Sequence, residues 1–204
     1  MPDPKPIRRE EVRTSKEFFS RLKQPDAITV KAIIETVEFL AEGRQEELSI
    51  MSQHENTFFA VYGIGGNITK PGDRPDVDLL VVTNAWSMNG YRSNDDSISY
   101  DNSRALSGDW VAGTLRDVFV KEDYQVTVKK KIPSEYRKVG VNSKGILRLN
   151  PNNEGRKPID IVIVNHTSLK NKNIKTLKEF EELGDVDKRG KPLPRVLLFK
   201  TQNF

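Results

Sequence analysis

Three aspartates stand where an aspartate is conspicuous. Asp76 and Asp78 open the apolar run VDLLVVT (77–83), and Asp160 interrupts the apolar run IDIVIV (159–164). In an extended chain, side chains at i and i+2 share a face, about 6.5 Å apart. Asp76 and Asp78 then project together, with Leu80 and Val82 behind them. A lone carboxylate in a buried strand costs on the order of several kcal/mol unless it is paired or metal-bound. If the two strands are neighbours, about 4.8 Å apart, three carboxylates converge on one spot. Hard divalent cations, Mg²⁺ or Mn²⁺, relieve that repulsion and leave room for waters and substrate phosphates. Two such ions about 3.5–4 Å apart clamp the attacking and leaving oxygens of an in-line displacement at phosphorus. Two blander readings stand beside this one. Asp76 and Asp78 are then a solvated strand entrance, and Asp160 is either an edge-strand residue facing solvent or a structural ion pair with a nearby Lys or Arg.

The segment upstream carries what phosphates need. Gly63, Gly65 and Gly66 precede Asn67, with Lys70 and Arg74 further on. Glycines let a backbone approach a phosphate, and successive N–H groups form an anion nest. The loop is neither a dinucleotide fingerprint, since Ile68 stands where the last glycine belongs, nor a P-loop, since no G-K-[ST] follows. A second D-x-D, Asp185-Val-Asp187, is followed by Lys188-Arg-Gly, and Asp95-Asp96 lies in a polar run. Neither has a glycine pair upstream, and both read as surface.

These residues need elements to position them. Thr14 and Glu17 have capping-box spacing ahead of Phe18, Phe19 and Leu22, which predicts a short helix that Pro25 interrupts. Val30, Ile33, Ile34, Val37 and Leu40 or Ala41 form one helical stripe, ending at Gly43 or running on to Met51. Residues 57–62 and 77–83 read as buried strands, with a loop from Gly63 to Pro75 between them. A polar excursion over 84–106 precedes a helix carrying Val111, Leu115 and Val118. Strands are expected at 124–131, 145–149 and 159–164, a helix at 173–183, and a last strand or packing segment at 196–199. Residues 1–13 read as a loose arm and 14–204 as a single domain. The fold class expected is α+β or α/β, a mixed β-sheet flanked by helices.

Composition narrows the chemistry. The 204 residues contain no cysteine, which removes disulfides, Cys-ligated metals and thiol nucleophiles. His54 and His166 are the two histidines, too few for a His-based zinc site. With 36% hydrophobic and 30% charged residues and no apolar leader, the expectation is a soluble cytoplasmic protein with no membrane partner. The net charge of +4 permits anionic partners without requiring them. Lys129, Lys130, Lys131, Arg137, Lys138, Lys144, Arg148, Arg156 and Lys157 make the middle basic: a solvated strand face, or an RNA-binding one.

A strand, then Gly65-Gly66-Asn67, then Asp76-Val77-Asp78 at the head of an apolar strand, then Ile159-Asp160-Ile161: this order resembles the polymerase-β-type nucleotidyltransferase superfamily. The resemblance covers 57–83 closely and reaches 164 loosely. It implies a minimal nucleotidyltransferase-like fold that transfers a nucleoside monophosphate from an NTP to a hydroxyl and releases pyrophosphate. It further implies that Asp76 and Asp78 bind two Mg²⁺ (or Mn²⁺) ions holding the triphosphate. Asp160 then completes the metal site and helps activate the acceptor hydroxyl. Gly65, Gly66 and Asn67 cradle the phosphates, with Lys70 and Arg74 adding positive charge. Gly66 stands where many members carry serine. The acceptor is an RNA 3′ end, a small molecule or a protein. Two alternatives remain: a non-catalytic RNA- or partner-binding module, and an antitoxin-like nucleotidyltransferase acting on a helical partner protein. The short stretch after Asp160 suggests a partner chain or a homodimer.

Overall fold

The computed structural model describes residues 13–51, 58–69, 74–84, 110–122, 124–129, 146–164, 169, 173–183 and 194–201. Several expectations lie outside the described residues: the arm over 1–12, Lys70, the excursion over 85–106, His54, His166, Asp95-Asp96 and Asp185–Asp187.

The capping box forms as the sequence predicts. The Glu17 N–H donates to Thr14 Oγ1 at 3.2 Å, and Glu17 Oε2 accepts from the Thr14 N–H at 3.2 Å. Helix α1 (Ser15–Ser20) starts there and buries Phe18. Pro25 does not break a helix. It sits in the first turn of α2 (Gln24–Met51), where a missing N–H costs nothing. Gly43 does not stop α2 either. The stripe Val30, Ile33, Val37, Leu40 and Ala41 is buried, as its spacing requires.

Strand β1 (Phe59–Ile64) contains Gly63, so the loop begins later than expected. Gly66–Thr69 then forms a single helical turn, α3, where the sequence suggested none. Strand β2 (Val77–Thr83) follows, then α4 (Trp110–Lys121), β3 (Tyr124–Lys129), β4 (Ile146–Pro151) and β5 (Ile159–Val164). Helix α5 (Leu177–Leu183) starts later than residue 173, because Thr176 and Glu179 build a second capping box ahead of it. Strand β6 (Arg195–Lys200) is the last element among the described residues.

The six strands form one mixed sheet in the order β3-β4-β5-β2-β1-β6. Only β2 and β5 run parallel; the other neighbours are antiparallel. One face packs Val61, Leu79, Val81, Leu149, Ile161 and Ile163 against Phe18, Val30, Ile33 and Val37 of α1 and α2, and against Val111, Leu115 and Phe119 of α4. The other packs Ala60, Tyr62, Leu80, Val82, Val162 and Val164 against Ile174, Leu177 and Phe180. Cover on both faces explains why β2 and β5 read as unbroken apolar runs. Each fully buried aliphatic side chain contributes about 1.5–3 kcal/mol. Among the described residues no helix is long and apolar enough to cross a membrane.

The second face is locked by an aromatic cluster. The Tyr62 hydroxyl donates to Glu181 Oε1 at 3.0 Å, and the Arg195 guanidinium lies 5.2 Å from the Tyr62 ring centre and 4.8 Å from that of Phe180. Burial first, then the negative charge of Glu181, raises the Tyr62 pKa above its ordinary value of 10.0. The folded phenol therefore keeps its proton in a range where the unfolded chain loses it. Its contribution is fully present below pH 10 and is lost as pH rises through the folded pKa. Urea midpoints measured from neutral to strongly alkaline pH should fall more steeply for the wild type than for Tyr62→Phe. At neutral pH the variant should be about 1 kcal/mol less stable, the worth of one hydrogen bond.

Candidate functional site

The parallel pairing sets the site's geometry. The Val77 N–H donates to Pro158 O at 3.0 Å and starts the ladder, after which Asp78 stands opposite Asp160. A buried contact fixes the approach of β5. Asp26, in the first turn of α2 and 1% exposed, accepts the Lys157 N–H at 2.8 Å. Behind it, Thr29 Oγ1 and the Tyr124 hydroxyl are 2.7 Å apart, and Arg156 Nη1 donates to the same hydroxyl at 3.1 Å. These bonds hold the turn before β5 to α2 and β3.

Strand alternation sends Asp78 and Asp160 to the face carrying Leu80, Val82 and Val162, as the spacing predicts. Asp160 is 5% exposed. Its register partner on β4 is Arg148. Arg148 Nη1 donates to Asp160 Oδ1 at 3.1 Å and to Oδ2 at 3.2 Å, and stands 3.8 Å from Asp76 Oδ2. One guanidinium nitrogen thus bridges two of the three carboxylates. Arg148 Nε donates to Asn150 Oδ1 at 3.0 Å, and Asn150 Nδ2 reaches Thr127 Oγ1 on β3 at 3.2 Å. A polar ladder runs from the carboxylates across β4 to β3.

The glycine loop closes over the third carboxylate. Gly65 has φ +72°, in the left-handed region, and a Cβ there would lie 3.0 Å from Asp78 Cγ. A Cβ on Gly66 would lie 2.8 Å from Arg74 Nε, so the Arg74 guanidinium rests against the loop. Asn67 behaves differently from the phosphate contact expected of it. Its side chain is 3% exposed, and Nδ2 donates to Asp76 O at 3.1 Å, tying the loop to the head of β2. Arg21, the C-cap of α1, donates from Nη1 to the carbonyls of Asn67 and Ile68, both at 3.3 Å.

Asp76, Asp78, Asp160, Gly65, Gly66 and Arg74 are therefore grouped at one end of β2 and β5. Among the described residues no three acidic or histidine side chains are close enough together to hold a metal ion as they stand. The donor chemistry still suits Mg²⁺ or Mn²⁺: carboxylate oxygens on one face, two of the three residues level across neighbouring strands. Arg148 is the residue that the sequence reading left among the basic surface. Its signal was its place between Leu147 and Leu149, both buried on the opposite face. No family model matches the sequence, and comparison with curated proteins and with solved structures found no match.

The two glycines separate on substitution. Gly65→Ala should lower stability by about 1–2 kcal/mol from the left-handed backbone alone, with a further loss from contact with Asp78. A Cβ on Gly66 meets the far end of a flexible arginine, and the unfolding free energy of Gly66→Ala from urea titration should stay within about 0.5 kcal/mol of wild type.

Proposed function

We propose that the chain is a divalent-metal-dependent nucleotidyltransferase of the polymerase-β type, with a mixed-sheet nucleotidyltransferase-like fold. What carries the reading is the in-register pairing of Asp78 with Asp160, beside a left-handed glycine that rests on Asp78. Asp76 and Asp78 would hold the cation bound to the NTP, and Asp160 the position facing the acceptor. When bound, Mg²⁺ or Mn²⁺ supplies charge neutralisation on the phosphates and acidifies the acceptor hydroxyl. The chain's own part is positioning and proton handling. The N–H groups of Gly66 and Asn67, at the start of the α3 turn and without intrahelical acceptors, would bind the phosphates. The Asn67 backbone serves here in place of its inward-turned side chain, with Arg74 adjacent. An Asp160 carboxylate oxygen would accept the proton of the acceptor hydroxyl as the hydroxyl oxygen bonds to the α-phosphorus and the bond from that phosphorus to the α–β bridging oxygen breaks, releasing pyrophosphate. An RNA 3′ end is the acceptor class we favour, given the basic middle of the chain.

A second reading, a non-catalytic RNA-binding module, has one observation on its side: Asp160 is already paired with Arg148. Incubation with each α-labelled NTP, Mg²⁺ and total RNA separates the two. The enzyme reading expects label in RNA and released pyrophosphate. Asp76→Asn, Asp78→Asn and Asp160→Asn should each lower the rate about a hundredfold or more, the scale of losing one charge-stabilising group, while circular dichroism stays unchanged. No label with any NTP or acceptor, together with salt-sensitive RNA binding in EDTA, would establish the binding module instead.

A further inference from the structure

We propose that Arg148 is a resident counter-ion of the carboxylate cluster, one that a divalent cation must displace from Asp160. The inference rests on the metal-dependent reading above and concerns the regulation of that site. Asp160 is 5% exposed, and an ionised carboxylate so placed needs a positive partner at all times. Arg148 is that partner, with one nitrogen within 3.1 and 3.2 Å of both oxygens. The same nitrogen stands 3.8 Å from Asp76. It therefore lies where a cation shared by these two residues would lie. A guanidinium and a divalent ion repel each other, so both cannot hold the same pair of oxygens. Arg148 has another anchor, its Nε bond to Asn150 at 3.0 Å, which involves no carboxylate. The guanidinium can leave Asp160 and remain tied to β4.

The consequence is a competition. Cation affinity is reduced by the fraction of molecules in which Arg148 holds Asp160. The site stays charge-balanced without a metal, and a bound cation releases a guanidinium beside the incoming phosphates. Arg148 is thus a positioning residue whose two states differ in which charge faces Asp160.

The test is Mn²⁺ binding to the full-length protein, read from the loss of the free-ion paramagnetic resonance signal, without nucleotide. Arg148→Met should bind Mn²⁺ at least about tenfold more tightly than wild type, and Mn²⁺ should raise its melting temperature by more. Should that variant fail to fold, Arg148→Gln, which removes the charge but keeps a polar side chain beside Asn150, should still bind more tightly than wild type. Affinity in the variants equal to or weaker than wild type, with binding abolished by Asp160→Asn, would overturn the counter-ion role and leave the metal site standing. Binding insensitive to Asp160→Asn, or none in any protein, would overturn the metal reading and this inference with it.

Discussion

The parallel register between β2 and β5 is the constraint on which the rest depends. It sets Asp78 level with Asp160, and a shift of one residue would turn every side chain of β5 to the opposite face. Such a slip would bury Asp160 among the α1, α2 and α4 side chains and expel Ile159 and Ile161 from that core. The hydrophobic pattern therefore enforces the position of the carboxylates. The Asp26 bond to the Lys157 N–H and the Val77 bond to Pro158 add local pins at the point of entry.

The second face of the sheet is divided in character. Over β1, β2 and β5 it is apolar and covered by Leu177 and Phe180. Toward β4 and β3 it becomes a row of polar groups, Arg148, Asn150 and Thr127, bonded to one another. The carboxylates sit at the boundary. Apolar cover on one side lowers their solvation, and the polar row on the other satisfies what burial leaves unpaired. A charged cluster survives there because both conditions meet at the heads of two strands.

Much of this was legible in the chain. The capping box at Thr14 and Glu17, the buried stripe of α2 and the strands at 77–83 and 159–164 follow from local periodicity and propensity, which short windows record. The second box at Thr176 and Glu179 has the same local spacing and sets the start of α5 at Leu177 rather than at Asn173. Three features were not legible, because each depends on a neighbour far along the chain. The inward turn of Asn67 depends on the Asp76 carbonyl. The pairing of Asp160 with Arg148 depends on β4 lying beside β5. The α3 turn depends on Arg21, the C-cap of α1, holding its carbonyls. Arg148 is one basic residue among many until the register of β4 with β5 gives it a partner.

Strand β5 lies between β4 and β2 and pairs with both. During synthesis the chain up to Pro151 holds two separate hairpin-like pairs, β1 with β2 and β3 with β4, each with an open edge awaiting the same late strand. Until residues 159–164 emerge from the ribosome, those edges are templates for wrong neighbours. The last strand to enter the middle also delivers Asp160. Joining the two halves of the sheet and creating the charged cluster are therefore one event, and a chain cut short before it gains neither.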